Sequence, residues 1–140
     1  MHSSKCVERS VALIVLTAAC TSPAIAAEDL MSYSGTDLFV RYCASCHGTH
    51  GEGDGPVAPF FKLQPPDLTR MARRHGGKFP TENVGKIIDG RASLAAHGTR
   101  SMPVWGVEFA LSEGGTREAQ DQAQTLISRL VEYLRSIQSD

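Results

Sequence analysis

Apolar residues recur at three- and four-residue intervals in three stretches of this chain, and no stretch keeps a strong two-residue alternation. The first stretch carries Leu38, Phe39, Tyr42 and Cys46, with Ser34 or Gly35 as its start and Thr36 and Asp37 suited to the opening turn. The second carries Val84, Ile87 and Ile88, with Thr81 as a predicted N-cap and Gly90 as a stop. The third is the longest: Ala119, Ala123, Leu126, Ile127, Leu130, Val131, Leu134 and Ile137 form one stripe behind a cap at Thr116. Between them the pattern predicts irregular backbone. Gly48 to Pro56 holds four glycines, Pro65-Pro66 excludes helix, residues 97–106 read as a loop, and Ser112 to Gly115 as another. There are no internal repeats and no low-complexity tract.

The N-terminus has a different pattern. Lys5 and Arg9 precede an apolar run from Val11 to Ala19, and Ala24-Ile25-Ala26 offers a small-residue cleavage site. Residues 1–27 therefore read as a secretory signal peptide cleaved near Ala26/Ala27, leaving one domain over 28–140. The run is too short to span a bilayer, which takes roughly 20 residues. A retained anchor, and lipidation at Cys20 in a loose lipobox, are the alternatives. Export removes Cys6 and Cys20 from the cysteine count, so the four cysteines do not imply two disulfides.

The two that remain sit in Cys43-Ala44-Ser45-Cys46-His47. Thiols three apart share a helical face, so both sulfurs can address one flat partner, and the next histidine can turn toward a metal at its centre. This is the attachment signature of a c-type haem: Cys43 and Cys46 form thioethers and His47 is the proximal iron ligand. A structural zinc site needs a second Cys/His pair, and a thioredoxin-like dithiol needs a βαβ setting; the sequence has neither. The glycine-rich run after His47 follows no strand, which argues against a phosphate-binding loop. Composition agrees with a bound apolar cofactor. Aromatics are only 6 % of a 140-residue chain, a lean supply for a core without outside help.

Gly35-x3-Phe39-x3-Cys43-x2-Cys46-His47, Met102-Pro103-x-Trp105 and Leu130-x2-Tyr133 together resemble the class I, mitochondrial-type c-type cytochromes. The likeness runs from Gly35 to about Ile137 and is weakest over 57–80 and 91–98. It implies an all-α fold, with N- and C-terminal helices crossing and loops wrapped round one covalent haem c. It also implies that Gly35 permits the close crossing, with Leu130 and Tyr133 meeting Gly35 and Phe39. A proline carbonyl, Pro56 or its rival Pro59, accepts the bond of the proximal histidine in that family. Maturation outside the cytoplasm places such a protein in the bacterial periplasm.

A thioether on a loop, locked by a following proline, suits a sixth iron ligand, and Met102 has that setting. His97, Met71 and Met31 compete with it. Trp105 either donates its indole N–H to a haem propionate or packs on the ring. His47 and Met102 together fill both axial positions, which predicts a one-electron carrier rather than an enzyme. The alternatives are an electron-transfer subunit of a periplasmic dehydrogenase or sulfur-oxidising complex, and a haem-based ligand sensor.

Net charge is −1, so no global basic field points to nucleic acid. The distribution is uneven. Residues 27–61 carry five acids and one base, 62–100 eight bases and three acids, and 101–140 three bases and six acids. The basic middle, with Arg70, Arg73, Arg74 and Lys78, predicts redox partners that present an acidic docking face. It also offers arginines to the propionates.

Overall fold

The structure, a computed structural model, describes residues 29–92, 102–112 and 114–139. The predicted leader with Cys20, and His97, lie outside them. Among the described residues six helices follow in order: α1 (Gly35–Tyr42), α2 (Ala44–His47), α3 (Met71–Arg74), α4 (Thr81–Ile88), α5 (Trp105–Ser112) and α6 (Arg117–Ser136). Single 3-10 turns occupy Leu30–Ser32, Ala58–Phe60 and Leu68–Arg70. Among the described residues there is no strand, and the fold is all-α.

The helix starts follow local chemistry. Ser34 Oγ accepts the Asp37 amide at 3.2 Å while the Asp37 carboxylate accepts the Ser34 amide at 3.0 Å, a reciprocal cap that satisfies two otherwise unmet donors. The Ser34 hydroxyl, which donates to the same carboxylate at 2.5 Å, and the Ser34 amide hold the Asp37 carboxyl below its ordinary range. Thr116 Oγ1 accepts from the Ala119 amide at 3.1 Å and opens α6. At α4 the expectation is corrected: Pro80, not Thr81, holds the capping position, and Thr81 is already helical. The proline carbonyl takes the first helical bond, from the Val84 amide at 3.0 Å, and proline has no N–H to satisfy. A second correction is α5, which begins at Trp105 inside the segment read as loop and runs through Ser112.

α6 is the organising element. Its stripe, from Ala119 through Leu134, is buried, and α1, α4 and α5 all pack against it. α1 crosses close because Gly35 has no side chain. A Cβ there would collide with the Arg129 carbonyl oxygen and lie 3.0 Å from Tyr133 Cβ. One turn on, the Phe39 ring, 1 % exposed, meets Tyr133 at 4.9 Å between centroids. The Arg129 guanidinium reaches back to the N-terminal segment, donating to the carbonyls of Met31 at 2.7 Å and Tyr33 at 2.8 Å. Beyond α6, the Gln138 side chain donates to Leu68 O at 2.9 Å and accepts from the Ala72 amide at 2.8 Å. The described residues are thus drawn round one space, lined from α1/α2, α3, α4 and α6.

Candidate cofactor site

That space is a cavity of about 430 Å³, within the roughly 300–1,000 Å³ usual for cofactor and ligand sites. Cys43 ends α1 and starts α2, a break in the helix that lets the signature bend into the cavity. The Cys46 and His47 amides both bond to Cys43 O, at 3.1 and 2.9 Å, so the pentad stays one helical turn. Cys43, Cys46 and His47 all line the cavity, and both thiols are free. The Nδ1 side of the His47 ring is buried.

The glycine-rich loop clamps this turn from behind. Gly53 N–H donates to His47 O at 2.8 Å and Val57 N–H to Ser45 O at 3.1 Å. Gly55 lies directly on the pentad backbone, where a Cβ would sit 2.6 Å from Ala44 O and from Cys46 C. Only glycine fits so close an approach. Pro56 and Pro59 are both exposed, and neither lines the cavity.

Burial, and secondarily the neighbouring Cys46, push the Cys43 thiol up to about 12. It therefore stays protonated at neutral pH, the opposite of the depressed thiol on which disulfide exchange depends. The geometry disfavours a redox dithiol. Among the described residues no cluster of three or more His, Cys, Asp or Glu side chains is arranged to hold a metal ion. An iron here would take its remaining ligands from an organic macrocycle.

The rest of the wall suits such a ring. Leu68, Met71, Val84, Ile88, Leu130 and Leu134 give it apolar surface. Met102 and Trp105 line the same cavity. So does the competitor Met71, which is 8 % exposed and belongs to α3. Trp105 stacks on Phe109 at 5.8 Å and meets Tyr42 at 5.3 Å, so its ring is part of an aromatic corner between α1 and α5. Four residues that the sequence did not single out also reach the cavity: Phe61, Leu63, His75 and Asn83. For His75 a signal existed, since it follows Met71 by one helical turn.

Ion pairs neutralise part of the basic middle segment. Asp67 pairs with Arg70 at 3.2 Å, Glu82 with Lys86 at 2.5 Å, and Asp89 with Arg91. Among the described residues of the basic segment the surplus is thereby left to Lys62, Arg73, Arg74 and Lys78. The turn at Ala58–Phe60 leaves Phe60 87 % exposed.

The residues present fit a covalently held haem: two free thiols and an imidazole on one turn, thioethers on the lining, and an apolar remainder. Among the described residues no helix is long and apolar enough to cross a membrane. A family model described as "Cytochrome C oxidase, cbb3-type, subunit III" matches residues 33–118, more than half of the chain. No curated protein and no solved structure matches significantly.

Proposed function

Because this chain belongs to the class I c-type cytochromes, in the family of that subunit III model, we propose that it is a periplasmic one-electron carrier with a six-coordinate His47/Met102 haem. The family implies haem c held covalently, and an electron-transfer role. The observation that carries the reading is the shared cavity, which gathers Cys43, Cys46, His47 and Met102. In this reading Cys43 and Cys46 tether the ring and His47 ligates the iron from the pentad side. Met102, held by Pro103, closes the sixth position, and Pro56 O supports the His47 ring from behind. Two protein ligands leave substrate no coordination site, and a thioether raises the potential relative to a second imidazole. The apolar walls exclude water, so little rearranges when the charge changes. The haem supplies a single reversible electron.

The test is spectroscopic. A pyridine haemochrome assay should give one covalent haem per chain. The ferric protein should show the near-infrared charge-transfer band of a sulfur–iron bond. Met102→Ala should abolish that band with haem retained, and Met71→Leu should leave it. The opposite outcome would move the ligand to Met71 and overturn the Met102 assignment.

The exposed Phe60, two residues before Lys62, and the unbalanced bases Arg73 and Lys78 support docking to a partner whose contact face is acidic. Arg73→Glu combined with Lys78→Glu should slow oxidation of the reduced protein by hexacyanoferrate(III) several-fold at low ionic strength. The difference should close as salt is added, since such steering is screened. A rate unchanged at low salt removes the basic docking face.

A second reading, a haem subunit bound within a larger enzyme, draws its support from the printed description of the family, which is that of an oxidase subunit. Size-exclusion of the native periplasmic fraction separates the two readings. A carrier elutes near the 15.1 kDa of the chain or below it, and a subunit in a much larger peak.

A further inference from the structure

A carrier depends on walls that keep water and small solutes from its haem, and one wall of this cavity is held from far along the chain. That wall is residues 67–75, which bring Leu68, Met71, Arg74 and His75 to the lining. We propose that Gln138 is the positioning residue that latches this flap shut, and that its release opens the cavity to solutes. The proposal rests on the haem reading above.

The flap is bonded within itself. The Asp67 carboxylate accepts from the Thr69 amide at 2.9 Å and from the Thr69 hydroxyl at 2.6 Å. At the other end His75 Nδ1 lies 2.8 Å from Met71 O. Among the described residues the close packing of α3 is with its own preceding turn, Leu68–Arg70, and with no other helix. The flanks differ in stiffness. Pro65-Pro66 fixes the incoming chain, whereas Gly76 and Gly77 carry it out at φ 68° and 85°. A Cβ on either glycine would meet nothing within 4 Å, so nothing packs on this end.

The restraint comes from beyond α6. Gln138 Nε2 donates to Leu68 O at 2.9 Å, and its Oε1 accepts from the Ala72 amide at 2.8 Å. That amide belongs to the first turn of α3, where no helical carbonyl is in place to receive it. Nε2 also donates to Leu134 O at 2.6 Å, which ties the side chain to the last turn of α6. One carboxamide thus joins the flap to α6 through both of its polar atoms. The Ser139 amide adds a bond to Thr69 O at 2.8 Å, and the Leu68 amide donates to Gly51 O at 2.6 Å. Without Gln138 the flap stays tethered at Leu68 and Thr69, and α3 loses the bond that holds it to α6.

Amide hydrogen exchange of the holoprotein, read by mass spectrometry, measures the opening, because exchange follows the population of the locally open form. Gln138→Leu removes both bonds to the flap. Each bond is worth a factor of a few, so exchange over residues 67–75 should rise about tenfold. Exchange in α1 should stay at the wild-type rate. Gln138→Glu still accepts from Ala72 but cannot donate to Leu68, and should fall between the two. Bleaching of the Soret band by hydrogen peroxide, a solute little larger than water, should quicken by the same factors. Unchanged exchange over 67–75 in Gln138→Leu overturns the latch. So does an equal rise in α1, which reports a general loss of stability, and so does Gln138→Glu exchanging as fast as Gln138→Leu. Faster exchange with wild-type bleaching overturns the gate. Pyridine haemochrome on each sample separates the failures. No covalent haem in the wild type sinks both this and the carrier reading, whereas haem whose bleaching ignores Gln138 sinks only this.

Discussion

A Cys43→Ser/Cys46→Ser double variant should retain no haem through denaturing electrophoresis and should lose its cooperative thermal transition. The first part follows from the two free thiols on the cavity wall, the only cysteines among the described residues. The second follows from volume. Taken as a void, 430 Å³ at about 24 cal/mol per Å³ comes to roughly 10 kcal/mol. Water entering through the mouth makes this an upper bound. It is still comparable with the whole 5–15 kcal/mol by which a domain is stable. Haem staining of the gel and far-UV dichroism on heating read the two effects separately. A stained band, or a melt that coincides with wild type, contradicts the account. Cys46→Ser alone should keep haem through the remaining thioether.

The second large effect is expected at the crossing of α1 and α6. Phe39→Ala should lower the unfolding free energy by about 3–5 kcal/mol, the usual loss for a fully buried aromatic ring. Gly35→Ala should cost about 1–3 kcal/mol, because its methyl meets the Arg129 carbonyl oxygen and Tyr133 Cβ. The sign is the informative part. In an unobstructed helical position glycine to alanine stabilises by about 0.5–1 kcal/mol, so a loss reports the close crossing directly. Both positions contact Tyr133, so their effects should not add. Urea unfolding of the two single variants and the double measures all three terms. A neutral or stabilising Gly35→Ala would mean that the helices stand further apart.

This crossing was legible in the sequence because its signals are local and periodic. Ser34 and Asp37 cap, Gly35 and Phe39 face α6, and the stripe from Ala119 to Leu134 repeats for about four turns. The pentad was legible because its spacing has one economical explanation. α5 was not. Its apolar residues fall on several sides, Gly106 at its second position reads as a breaker, and Met102-Pro103 just ahead suggests continued loop. Its helix is fixed by tertiary packing, with Phe109 buried under Tyr42 and Trp105. α2 and α3, at four residues each, are too short for any period to show. Thr81 misled because a threonine before an apolar run usually caps, yet Pro80 supplies the first carbonyl without needing a cap for its own N–H. Of the basic residues, sequence could not rank Arg70 against Arg74. Their difference lies in whether Asp67 or the cavity is within reach.

The order of these parts along the chain has a consequence in time. The pentad ends at residue 47, and α6, the helix that closes over it, begins at residue 117. At about 5–20 residues per second, the pentad is complete roughly 4–14 s before α6 starts to be made. Neither Arg129 nor Tyr133 yet exists to pull α1 into place. α1 and the pentad are thus made before the helix that α1 packs against. Closing the fold comes afterwards, through contacts that join residue 31 to residue 129 and residue 72 to residue 138. The cavity wall that α6 supplies is therefore the last part of the site to be made.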